Sequence, residues 1–214
     1  MQVKLLNITP NAEEHIVEIA RVSSSRKNKK DKPEGLLRYL VQHKHWSPFE
    51  HGHATFEIET SKAIGIQLIR HRSFSFQEFS QRYQDVNRLG DIFEPIELRS
   101  QCEDNRQSSV EIINPNIQME TIAPASETIE AFLGKAHSLY NKLLEAGVAR
   151  ETARMVLPLA TTTKIHMTGS IRSWIHFLEL RDDEHAQKEI QLIAREIKKQ
   201  LKSKLPVISE ALNF

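Results

Sequence analysis

The chain is 214 residues long, enough for one large domain or two small ones, and 29 basic against 28 acidic side chains leave a net charge of +1 beside ten histidines. That balance gives no global pull toward nucleic acid or an anionic membrane. At 39% hydrophobic and 27% charged, with 7 Gly and 8 Pro, the composition excludes disorder, low complexity and collagen-like repeats, and reads as a soluble globular protein.

The opening MQVKLLNITPNAEEH has no long apolar segment, and no later run approaches the roughly 18 apolar residues of a membrane span, so a cytoplasmic protein is expected. Val3, Leu5 and Ile8 predict a strand. Residues 10 to 22 predict a helix with Pro10 in its first turn. The basic stretch SSSRKNKKDKPEG, residues 23 to 35, reads as a solvated loop in preference to a phosphate-binding arm, and a second helix is expected over Leu36 to Gln42. From His53 to Thr60 apolar Ala54, Phe56 and Ile58 alternate with Thr55, Glu57 and Glu59, the pattern of a half-buried strand.

Ala63 to Arg70 reads as helix, QEFSQRYQDV after it as an extended segment, and residues 88 to 125 as a long irregular excursion that could cover a site. The rest is expected to be mostly helical: 126 to 146, 149 to 156, 171 to 181 and 185 to 204, with a strand at TTTKIHMTG. In the last helix Ala186, Ile190, Ile193, Ile197 and Leu201 form one apolar stripe. No internal repeat occurs. The single cysteine, Cys102, excludes an intrachain disulfide, and its polar setting is a poor one for a thiol nucleophile, so catalysis would fall to other residues or a cofactor.

Residues 70 to 83 gather three arginines, one carboxylate and three serines. In an extended chain Glu78, Ser80 and Arg82 would share a face, and a guanidinium fork beside a hydroxyl suits a phosphate monoester. The plain structural reading is that Arg70 and Arg72 cap a helix while Glu78 and Arg82 form an ordinary ion pair. A second cluster holds Arg154, Arg172, His176, Arg181, His185 and Gln187, with Arg172 and His176 one helical turn apart. Asp182, Asp183 and Glu184 are expected to cap the next helix. Two HxH pairs, His43/His45 and His51/His53, have metal-ligand spacing without accompanying ligands, so hydrogen-bonding histidines are favoured and no metal is expected.

Taken together these segments resemble the flavin-dependent thymidylate synthases. Arg70-His71-Arg72 is followed after seven residues by Ser80 and then Arg82-Tyr83; HxHxSPFEH stands at 43 to 51, Gln67 precedes the signature, ARMVLPL lies at 153 to 159, and RSxxxFLxLRxDxHAQxEI at 172 to 190. The resemblance implies one α+β domain over 1 to 214, with a central, mostly antiparallel sheet flanked by helices. It implies a homotetramer with sites shared between subunits. The activity implied is reductive methylation of dUMP to dTMP with methylenetetrahydrofolate, FAD and NADPH, which accounts for the lack of a thiol nucleophile.

Carried over by position, Gln67, Arg70, Glu78, Ser80, Gln81, Arg82, Arg154 and Arg181 would hold dUMP. Ser47, Arg70, His71, Arg72, Glu78, Ser170, Ile171, Arg172 and His176 would hold FAD, with His45 and Gln187 near the flavin and folate. Arg181 would be catalytic, stabilising negative charge on the uracil ring. Gln77 and His176 stand where many members carry Asn. The competing readings are an RNA- or single-strand-binding module, with Phe74, Phe76, Phe79 and Tyr83 as stacking platforms, and a flavoprotein that binds dUMP without turnover.

Overall fold

A computed structural model describes residues 1–23 and 32–214. Most of the basic loop therefore lies outside the described residues. In chain order the elements are β1 (Gln2–Ile8), α1 (Ala12–Ala20), α2 (Pro33–Gln42), β2 (His53–Ser61), α3 (Lys62–Leu68) and β3 (Ser75–Glu78). Four short strands follow, β4 (Arg99–Gln101), β5 (Ser109–Ile112), β6 (Asn116–Gln118) and β7 (Ile122–Pro124). The chain closes with α4 (Ala125–Glu145), α5 (Arg150–Ala153), β8 (Thr162–Ser170), α6 (Ile171–Arg181), α7 (Lys188–Lys204) and α8 (Pro206–Ala211). The architecture is α+β, built on a four-stranded sheet in the order β1-β2-β8-β3.

The register of the two central strands is visible in their side chains. Thr55 meets Thr168, Glu57 meets His166 and Glu59 meets Lys164, so each step of two along β2 is a step of two back along β8, as antiparallel pairing requires. The opposite face of β2 presents Ala54, Phe56 and Ile58, all buried. Period-two alternation puts apolar side chains on one face and paired polar ones on the other.

Two compact units divide the chain. The first comprises Glu59–Leu68 and Glu78–Ile165 together with Met1; the second comprises Gln2–Ile58, Ile69–Gln77 and His166–Phe214. In the first, Val86, Tyr140 and Ala153 form a core covered by Leu143, Leu144 and Leu157. In the second, α1 packs on α2, α6 on α7, and α8 on both α2 and α7. Of the expected stripe Ile190, Ile193, Ile197 and Leu201 are buried, whereas α7 begins only at Lys188 and leaves Ala186 half-buried before it; the Gln200 amide pairs with the backbone of Val3 and Leu5 on β1.

Several expectations are corrected. Pro10 lies before α1, whose N-cap is Asn11. The extended segment stops at Glu78: Tyr83 N and Gln84 N both donate to Ser80 O, at 3.1 and 2.9 Å, closing a turn where a strand was expected. Residues 88 to 125 contain two antiparallel hairpins, β4 with β5 and β6 with β7. The helix expected over 149 to 156 is α5 followed by a 3-10 turn, Arg154–Val156. No side chain caps α7: Asp182 pairs with Arg195 and Lys198, and Asp183 bonds the His185 N–H. Among the described residues no helix is long and apolar enough to cross a membrane.

Candidate active site

In the second unit the chemistry gathers at the two ends of α6. Ser170 begins the helix: its hydroxyl accepts from Ser173 N at 3.2 Å and donates to Glu50 Oε2 at 2.6 Å. Ile171 is buried and its N–H donates to Gly52 O at 2.7 Å. Both residues are thus spent on seating the helix. One turn on, Arg172 donates to Glu50 Oε1 at 2.8 Å. The Ser170 bond, and after it Arg172, hold the Glu50 carboxyl below its ordinary range against the opposing effect of burial. Since both partners are about half exposed, the ion pair orients Arg172 more than it stabilises the fold.

Arg172 and His176, on one face of α6 as their spacing predicts, line a cavity of about 450 Å³ with Trp46, Glu50, Ser73 and Glu179. That volume lies in the ordinary range for small-molecule sites. Ser47 is exposed beside Trp46, His45 meets the Tyr39 ring edge-on, and Gln187 occupies the N-cap position of α7. His43 stacks on Tyr39 at 4.0 Å, and among the described residues no cluster of three metal-ligating side chains forms.

The Arg70-His71-Arg72 loop is anchored by its neighbour Phe74, whose ring packs against Trp174 at 4.6 Å. Trp174 is fully buried and donates to Ala54 O at 3.1 Å. The Phe74 ring lies so close to β8 that a Cβ at Gly169 would run into it; only glycine allows this approach. Locked in that cluster, the Phe74 ring is not a base-stacking platform.

At the far end of α6, Arg181 Nε donates to His71 Nε2 at 2.9 Å. Accepting through Nε2 makes His71 the neutral tautomer with its proton on Nδ1. Burial first, then the charges of Arg181 and His176, push its pKa down to about 4. Burial and Arg70 lower that of Arg181. A neutral partner fixes the guanidinium without cancelling its charge. Arg70 and Arg72 have no hydrogen-bond or ion-pair partner among the described residues.

In the first unit Glu78, the last residue of β3, receives two donors on one oxygen: Lys62 Nζ and Thr163 Oγ1, each 2.8 Å from Oε1. The Glu78–Arg82 ion pair expected from the sequence is not made; Arg82 donates to Glu151 Oε2 at 3.0 and 3.3 Å instead. Arg154 Nε reaches Glu151 O at 3.3 Å, so one residue orients both arginines. Gln67 is half-buried on α3 and Ser80 half-buried in the turn. Gln81 is 7% exposed, and its Nε2 has no partner among the described residues. It lines a cavity of about 260 Å³ with Lys62, Arg154, Met155 and Thr161. A buried amide N–H left unpaired costs roughly 1–3 kcal/mol, which marks the place for an acceptor from a ligand.

Sequence reasoning missed Glu50, Trp46, Ser73, Lys62, Thr163 and Glu151. Glu50 and Trp46 lie within the HxHxSPFEH segment and were within reach; Lys62 and Thr163 become partners only once β2, α3 and β8 are folded.

A family model described as "Thymidylate synthase complementing protein" matches residues 4–207. The chain belongs to this family. It is 40% identical to the "Probable flavin-dependent thymidylate synthase" of Paramecium bursaria Chlorella virus 1, over the full length of both chains. It is 39% identical to the flavin-dependent thymidylate synthase of Synechocystis sp., over 91% of this chain and 86% of that one. To the enzyme of that name from Kosmotoga olearia it is 40% identical, over 92% and 84%.

Proposed function

We propose that the protein is a flavin-dependent thymidylate synthase that converts dUMP to dTMP, taking its carbon from methylenetetrahydrofolate and its reducing equivalents from NADPH. The observation that carries this reading is the match along essentially the whole chain to relatives of that name.

The donor set fits a flavin dinucleotide. Arg70 and Arg72 offer guanidiniums without carboxylate partners for a pyrophosphate, and the Trp46 indole and Arg172 line a cavity suited to a flat ring. His71, Arg72, Ser47, Ser170, Ile171, Arg172 and His176 form the proposed FAD set, joined by Arg70 and Glu78. Ser170 and Ile171 support it by seating α6. FAD, when bound, relays reducing equivalents from NADPH to the methylene carbon.

The protein's own residues do the positioning. Arg82 and Arg154 take the dUMP phosphate, with Ser80 and the Gln81 amide supplying uncharged donors; Gln67 and Arg70 complete the nucleotide set. Substitution at C5 of the uracil loads negative charge onto the ring, and Arg181 meets that charge. With Nε bound to His71, its terminal N–H groups stay oriented and its charge stays whole.

A homotetramer with shared sites, in the cytoplasm, is part of the same proposal. It is supported by Ile66, Met155 and Leu159, which rim the Gln81 cavity at 49%, 77% and 60% exposure and would be covered by a second subunit. Light scattering on the purified protein checks the assembly.

The test of function is anaerobic incubation with FAD, NADPH, dUMP and methylenetetrahydrofolate, each omitted in turn, with chromatographic detection of dTMP. Formation of dTMP only in the complete mixture is the expected result. Tight binding of FAD and dUMP with no dTMP would make the chain a non-catalytic relative and direct attention to His176.

A further inference from the structure

We propose that Lys62 and Thr163 are positioning residues for the nucleotide: together they hold Oε1 of Glu78 so that Oε2 is presented to bound dUMP as a fixed acceptor. This rests on the reading above that Glu78 contacts dUMP. Carboxylate rotation about its last torsion is soft, so an unsupported Glu samples a broad range. Here Lys62 Nζ and Thr163 Oγ1, both 2.8 Å from Oε1, close off that freedom, while Oε2 has no partner among the described residues.

The backbone at Lys62 and beside Glu78 is tied down as well. Lys62 N donates to Thr161 O at 2.8 Å, and Phe79 N, next to Glu78, donates to Lys164 O at 2.8 Å. Gly65 leaves the room for this: a Cβ there would stand 3.2 Å from Thr163 Cγ2 and 3.6 Å from Glu78 Oε1. Lys62 also lines the cavity that holds Gln81 and Arg154. An ionised carboxylate has only acceptor sites, so its ligand must bring a donor. A phosphate dianion brings none. dUMP has two such donors, the sugar hydroxyl and the uracil N3–H; with the hydroxyl on Oε2, a fixed Glu78 would sort the sugar end of dUMP from the phosphate end, which goes to the arginines, and the dideoxy analogue tells the two donors apart.

The experiment is calorimetric titration of the FAD-loaded full chain with dUMP and with its 2′,3′-dideoxy analogue, which lacks the hydroxyl. Lys62→Met is expected to weaken dUMP about tenfold and Lys62→Arg to recover most of that, while affinity for the dideoxy analogue stays within about twofold. In a Glu78→Gln background the further effect of Lys62→Met should fall below about twofold, because both changes break the same interaction. Melting curves confirm folding, and if Lys62→Met does not fold, Thr163→Val provides the same comparison. Unchanged dUMP affinity, or losses that add in the double variant, would overturn the proposal; additivity would make Lys62 a direct contact. Failure of the unsubstituted protein to bind dUMP at all would instead sink the functional reading, and this inference with it.

Discussion

In the second unit several polar groups of the candidate site are satisfied by one another, Ser170 and Arg172 by Glu50 and Arg181 by a neutral His71, while the Arg70 and Arg72 guanidiniums stay without partners among the described residues. In the first unit the Gln81 amide is buried with its nitrogen unpartnered, and Glu78 has one oxygen doubly bonded and the other unengaged among the described residues. The difference teaches what each region is built to do. Groups that must keep their direction while charge moves are held before any ligand arrives, which spares reorganisation during the reaction. Groups proposed to meet a ligand, the Gln81 amide, the Glu78 carboxylate and the Arg70 and Arg72 guanidiniums, are left unsatisfied for that ligand to complete.

The contrast can be broken from either side. The largest effect is expected from Arg181→Ala, which should lower dTMP formation by about 10²–10³-fold while FAD content and melting temperature persist. Unchanged turnover would remove Arg181 from the proposed catalytic role. Next is Gly169→Ala, whose new methyl meets the Phe74 ring. Overpacking of this kind costs about 1–3 kcal/mol, and because Phe74 anchors the His71 loop, FAD affinity should fall along with stability. Equal FAD binding in a stably folded Gly169→Ala protein would show that the loop does not depend on Phe74.

Gln81→Leu sharpens the comparison because stability and binding should move in opposite directions. Removing an unpaired buried amide should leave the melting temperature level or raised while dUMP binds about tenfold more weakly. A large stability loss would mean that the amide is structural. The smallest effect concerns pH. With a folded pKa of about 4 against an ordinary 6.5, the unfolded chain binds more protons at His71 between those values, so stability rises with pH across that window and is lost as pH falls through it. His71→Asn should flatten this slope in melting curves recorded from pH 4 to 6.5. An unaltered slope would assign it to other groups.

Much of the fold was legible in the sequence where periodicity is long. The alternation through Ala54, Phe56 and Ile58 and the stripe from Ile190 to Leu201, about three turns long, each repeat often enough to specify a face. The hairpins between 99 and 124 were not legible: strands of three or four mostly exposed residues carry too little alternation. Of the site, the arginines and Gln81 were legible as residue types in ordered motifs. Their partners were not, since Glu50 with Ser170 and Glu78 with Thr163 are 120 and 85 positions apart and meet only through the sheet. The expected face of Glu78, Ser80 and Arg82 failed for a local reason: turn bonds at Ser80 overrode the two-residue period.

The most direct measurement is a crossed titration in which FAD and dUMP are each titrated into the unsubstituted protein, Gln81→Leu and Arg172→Ala. Gln81→Leu is expected to weaken dUMP about tenfold and to leave FAD within about twofold, while Arg172→Ala does the reverse. If both substitutions weakened both ligands alike, the separation of a flavin site at Arg172 from a nucleotide site at Gln81 would be contradicted.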